Sequence, residues 1–153
     1  MAQRLRPVGP DFVDRAPVRL VFGREMTAAP ELVYQALAED VASIPEWFPA
    51  VASARAADGG RDVRLRGGIR FEETVLVAEK PALYSYRVDV TNTPGARAWV
   101  EKWRLVPAGG GTRIRVVFAL DGTAAFRLGC RLAAPGVGRA FRQAAGALDR
   151  QLT

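Results

Sequence analysis

The spacing of apolar positions changes several times along this chain, and each change marks an element. From Val18 to Met26 apolar residues fall at every second position, Val18, Leu20 and Phe22, with Arg19, Gly23 and Glu25 out of phase. That alternation is the mark of a strand with one covered face. The spacing then becomes helical. Ala28-Ala29-Pro30-Glu31 suits a helix start, because proline is tolerated in the first turn and an acid there meets the positive end of the dipole. Val33, Ala36 and Leu37 supply its inward stripe. A second short helical piece is predicted over 41–44, interrupted at Pro45 and closed by Pro49, with Trp47 and Phe48 between the prolines.

Alternation returns after residue 51 and is punctuated by glycine and proline. Gly59-Gly60 separates a weak strand at 51–57 from one at 62–66, and Gly67-Gly68, a natural two-residue turn, leads into 69–78. Lys80-Pro81 precedes 83–90, Asn92, Pro94 and Gly95 precede 97–106, and Gly109-Gly110-Gly111 precedes 112–120. Strands joined by such short turns pair antiparallel as a meander. The final helix is predicted over 135–152, with 124–132 as a separate helical turn ahead of Pro135. On it Val137, Phe141, Ala144, Ala145, Leu148 and Leu152 share one arc, and Arg139, Arg142, Gln143, Gly146, Asp149 and Arg150 face the other way. The order β-α-α-β6-α predicts an α+β fold in which a curved, seven-stranded antiparallel sheet wraps around the long C-terminal helix. Residues 1–17, with Pro7, Pro10 and Pro17, read as an irregular arm that either lies over the body or moves freely; 18–153 reads as one domain.

Composition narrows the chemistry. A chain of 153 residues can bury about 68–70% of its extended surface, so it needs no staple. Its one cysteine, Cys130, forms no intrachain disulfide, which fits a reducing compartment. Histidine is absent, which removes the usual general base, the usual zinc ligand and every Ser-His or Cys-His nucleophile pair. No secretory leader or membrane span is legible, so a cytoplasmic protein without metal or cofactor is expected. The net charge of +6 comes from scattered arginines, such as Arg64 and Arg66 or Arg113 and Arg115, that alternate with apolar residues as a solvated sheet face does. Nucleic acid is therefore not an expected partner, whereas the basic surface would suit an acidic protein.

Several short motifs fall in order on this framework. Ala29-Pro30-Glu31-Leu32-Val33-Tyr34, then Asp40 with Trp47 and Pro49, then Glu73-Thr74-Val75, the 81–86 segment and Gly111-Thr112-Arg113 resemble the Bet v allergen-like and START-like (SRPBCC) superfamily. The likeness is strongest to its bacterial polyketide cyclase/dehydratase and lipid-transport branch, and it covers 18–152. It implies a helix-grip fold with a cavity between sheet and last helix for lipids, quinones, sterols or polyketides; it does not imply one reaction.

Strand alternation selects the side chains that would see such a ligand. Phe71, Glu73, Tyr84, Tyr86, Trp99, Glu101, Trp103 and Phe118 fall on inward faces, with Phe141 opposite on the helix and Trp47 as a gate or plug between the short helices. Glu101 between two tryptophans and Glu73 beside Phe71 are conspicuous, since burial raises a carboxyl's pKa. A bulge or register flip would instead turn either acid to solvent or to an arginine on the next strand. The alanines of the last helix set the gap, and a cavity of hundreds of Å³ is expected. Three readings stand together: a carrier of a small hydrophobic ligand; a polyketide cyclase/dehydratase with Glu101 or Glu73 as acid/base and Tyr84 or Tyr86 polarising a carbonyl; and a protein-interaction module.

Overall fold

In the computed structural model, which describes residues 1–153, the chain opens with Gln3–Arg4 (β1), a 3-10 turn at Pro10–Asp14 and Val18–Met26 (β2). Pro30–Tyr34 (α1) follows, continued by a π-type turn at Gln35–Glu39, a 3-10 turn at Val41–Ser43 and Ile44–Trp47 (α2). Pro45 does not interrupt this piece; it stands in the first turn of α2, where a missing N–H loses no helical bond. The meander comprises Val51–Ala57 (β3), Gly60–Leu65 (β4), Arg70–Glu79 (β5), Leu83–Thr91 (β6), Ala96–Ala108 (β7) and Gly111–Gly122 (β8). Gly67 and Gly68 both carry positive φ, 97° and 100°, but the expected two-residue turn is one residue longer: the Leu65 amide donates to the Ile69 carbonyl at 2.7 Å and the Gly68 amide to the Leu65 carbonyl at 3.3 Å, leaving Arg66, Gly67 and Gly68 as the loop.

All neighbours pair antiparallel in the order β2-β8-β7-β6-β5-β4-β3. One short strand was not foreseen. β6 and β7 are paired only from Leu83 opposite Arg104 to Arg87 opposite Val100, and beyond that the first residues fill the opening between them. Gln3 and Arg4 pair with Thr91 and Val90, while the Leu5 and Arg6 amides donate to the Asp89 and Arg97 carbonyls, each at 2.8 Å. Phe12 and Val13 then bury themselves on the outer sheet face over Ala98, Val100, Val117 and Ala119. The arm thus lies on the body, and the small apolar residues among the outer arginines are its seat.

The last element, Ala124–Leu152 (α3), is one continuous helix with Pro135 inside it, not a turn followed by a helix. An interior proline costs about 3 kcal/mol, but the preceding residues are anchored independently. The Thr123 hydroxyl accepts from the Phe126 amide at 3.1 Å as an N-cap, and Phe126 is buried. Toward the C-terminus α3 lies hard against β2: a Cβ on Gly138 would stand 2.7 Å from the Phe22 ring. Phe141, Ala144, Ala145 and Leu148 are buried there. Gly146, on the arc expected to face solvent, lies beneath Arg24, whose Nη1 donates to the Arg142 carbonyl at 2.8 Å. Asp149 accepts from the Thr27 and Ala28 amides at 2.9–3.0 Å, tying the end of α3 to the strand–helix junction. No helix is long and apolar enough to cross a membrane.

Candidate functional site

The two halves of α3 meet the sheet differently. The second half packs tightly, whereas Gly129, Cys130, Ala133, Val137 and Ala140 stand off from the sheet and border a cavity of about 590 Å³. Of the 28 residues around it, 22 are hydrophobic, so its interior suits an apolar body. Of the alanines expected to set the gap, Ala140 borders the cavity, whereas Ala144 and Ala145 lie in the tightly packed half; the volume falls in the expected hundreds of Å³.

Of the residues singled out from sequence, Trp47, Phe71, Tyr86, Trp99, Trp103, Phe118, Phe141, Glu73 and Glu101 all border this cavity. Tyr84 does not. It shares a sheet face with Tyr86, but α1 covers it: its ring stands edge-on to Tyr34, with centroids 6.1 Å apart. Trp47, the last residue of α2, is buried, and its indole N–H is without a hydrogen-bond partner. Among the aromatics, Phe71 stands edge-on to Trp99 at 5.0 Å and Phe126 packs against the same indole at 6.1 Å.

A hydrogen-bonded polar cluster interrupts the apolar lining on the sheet side, and strand register assembles it. Tyr86 of β6 lies opposite Glu101 of β7, and Arg61 of β4 lies opposite Glu73 of β5. The Tyr86 hydroxyl donates to Glu101 Oε1, and Trp99 Nε1 donates to Glu101 Oε2 at 2.9 Å. Trp103 Nε1 in turn donates to the Tyr86 hydroxyl at 3.2 Å. Arg61 Nε donates to Glu73 Oε1 at 2.6 Å and Nη1 to the Leu37 carbonyl at 3.4 Å. The guanidinium carbon sits 4.2 Å from the Tyr86 ring centroid, a cation–π contact that joins the two halves of the cluster.

Neither carboxylate is turned to bulk solvent; Glu73 is 8% exposed and paired, so the interior placement and the arginine pairing hold together. Burial pushes Glu73 up to about 7; Arg61 pulls it down and the charge of Glu101 adds to the rise. Glu101 is also raised, by burial first, against the stabilising hydrogen bonds of Tyr86 and Trp99 and the charge of Arg61. Burial drives the Tyr86 phenol well above its ordinary range, with the neighbouring Glu101 charge adding to it, so the hydroxyl stays a donor. For Arg61 burial opposes the charge, but Glu73 outweighs it and the guanidinium remains a cation.

Arg61 lies outside the strand expected from the sequence, whose start at 62 falls two residues after the observed one. Extended to Gly60, the strand alternates Arg61, Val63 and Leu65, which places the arginine in phase with the inward pair. Phe126 and Cys130 were missed because the helix was started at Pro135.

A sheet gripping one long helix, with an apolar cavity between them and a polar cluster on its wall, defines a cavity-bearing protein of the helix-grip class. The family model described as polyketide cyclase / dehydrase and lipid transport matches residues 18–153, and the chain belongs to that family. Among solved structures, a START superfamily protein from Mycobacterium smegmatis is 14% identical, covering 88% of this chain and 96% of its own, with a TM-score of 0.67. A protein from Rhodobacter sphaeroides is 20% identical over 99% of this chain and 97% of its own, with a TM-score of 0.70. The ginseng (Panax ginseng) major latex-like protein 151 shares the fold at 7% identity, over 88% of this chain and 97% of its own, at a TM-score of 0.71. No curated protein matches the sequence.

Proposed function

We propose that this protein binds and carries a small hydrophobic or amphipathic molecule, with the apolar body among Phe71, Trp99, Phe118 and Phe126 and the polar end at Glu101. The cavity of about 590 Å³, apolar but for one polar cluster, is the observation that carries this reading. A volume of that size suits a ligand of drug-like dimensions. Family membership supports the same class of ligand. Native mass spectrometry of the protein as purified, followed by a screen of lipids, quinones and aromatic polyketides, tests it. A bound apolar species is expected, and failure to bind any member of the screen would sink it.

A second reading, cyclisation and dehydration of a poly-β-ketone, draws support from the two carboxyl groups whose pKa values burial raises toward neutrality. Glu101 would exchange the proton, Tyr86 would hold it in place, and the cavity would fold the chain by proximity. Glu101→Gln is then expected to slow turnover of a reactive β-polyketone by about 100-fold or more. Unchanged turnover would remove Glu101 from that role.

A further inference from the structure

The polar wall of the cavity has a hydrogen-bonding bias. Arg61, Glu73 and Glu101 are the charged residues that border it. Tyr86 and Trp99 donate to Glu101, Trp103 donates to Tyr86, and Arg61 donates to Glu73 and the Leu37 carbonyl. The remaining Arg61 N–H groups and the unpartnered Trp47 indole N–H are donors too, but the Arg61 side chain is 6% exposed and the Trp47 nitrogen is buried, so neither is presented to a ligand. Acceptors are left over. A carboxylate offers about four lone-pair sites, yet Glu101 receives one bond at each oxygen and Glu73 receives one in all. Arg61, Glu73, Tyr86 and Trp103 are each buried, whereas Glu101 keeps part of its surface open and so forms the face of the cluster that a ligand meets.

Charge points the same way. One guanidinium stands against two carboxylates, and it is already paired at 2.6 Å with Glu73 and covered on one face by the Tyr86 ring. No cation is left to receive an anionic ligand. A ligand carboxylate at this wall would face Glu101 among largely apolar walls, where like charges are screened less than in bulk water. A hydroxyl at the same point would donate to a free Glu101 lone pair and bring no charge.

We propose that the cavity selects apolar molecules whose polar end donates a hydrogen bond, an alcohol or phenol, and rejects those that end in a carboxylate. This specificity rests on the ligand-binding reading above, and its test separates the two. The neutral fluorophore N-phenyl-1-naphthylamine reports occupancy, and three competitors of matched shape are compared at pH 8: 4-butylphenol, its methyl ether 4-butylanisole, and 4-butylbenzoate. The phenol is expected to displace the reporter at concentrations at least ten-fold lower than either of the others. In Glu101→Gln, which is uncharged and carries donors of its own, the gap between phenol and benzoate is expected to close at least five-fold. A benzoate that matches or beats the phenol on the unaltered protein overturns the proposal without any variant, as does an anisole equal to the phenol. An unaltered protein that takes up neither the reporter nor any competitor refutes the ligand-binding reading itself, and the specificity falls with it.

Discussion

At the scale of single residues the Arg61–Glu73 pair dominates. Both side chains are buried, 6% and 4% exposed, so each is the other's counter-charge in a medium that would not tolerate either alone. Arg61→Met leaves Glu73 uncompensated and is expected to cost about 3–5 kcal/mol. The double variant Arg61→Met with Glu73→Met should regain most of that loss, because an apolar pair of similar volume replaces a buried ion pair at little cost. Urea unfolding of the three proteins measures it; a double variant no more stable than the single would show that the pair is not the unit. Glu73 also makes stability depend on pH. Its carboxyl titrates near 4.5 when unfolded and near 7 when folded. Between these values the folded state holds the extra proton, so stability is greatest below about 4.5 and falls as pH rises through 7. At about 1.4 kcal/mol per pKa unit the decline is on the order of 3 kcal/mol, and subtracting the pH profile of Glu73→Gln isolates it. A flat difference between the two profiles would contradict the raised value. Alternation alone places both acids inward, since the period-2 pattern holds from Phe71 to Val75 in β5, ahead of the bulge at Leu76, and from Trp99 to Leu105 in β7. It could not show how the cluster is wired, because hydrogen bonds between strands depend on a register that spans four separate segments.

At the scale of elements, α3 shows why local signals and tertiary packing part company. Proline ordinarily ends a helix, and reading Pro135 as a start follows the local rule. The helix runs through it because, well before Pro135, Thr123 caps the first turn and Phe126 is held in the core. The strands of the meander and β2 are legible to within two residues, since glycine and proline turns bound them sharply. The helix start is not, because burial of Phe126 is a contact with Trp99 that no local pattern announces. Pro135 is solvent-exposed and supplies no N–H to the Arg131 carbonyl. Pro135→Ala is therefore expected to raise stability by about 1–3 kcal/mol. Thermal unfolding monitored by circular dichroism checks it, and an unchanged or lowered midpoint would mean that the helix depends on the proline at that turn.

At the scale of the whole molecule, the first residues decide whether the sheet is closed. The apolar residues Ala98, Val100, Val117 and Ala119 form a patch on the outer face, and the 3-10 turn at Pro10–Asp14 covers it with Phe12 and Val13. Leu5 joins the main core from the same segment, beside the strand that fills the opening between β6 and β7. Burying three such side chains is worth roughly 1.5–3 kcal/mol each, a sum comparable to the 5–15 kcal/mol that holds a typical domain together. Removing residues 2–16 is therefore expected to leave a chain that unfolds at or near room temperature and associates through the uncovered patch. The point variant Phe12→Ala should keep the β1 pairing and lose about 3–5 kcal/mol. Denaturant unfolding and size-exclusion chromatography distinguish these outcomes. A truncated chain that stays monomeric with an unchanged midpoint would mean that the sheet holds without its cover, and that the arm matters for something other than stability.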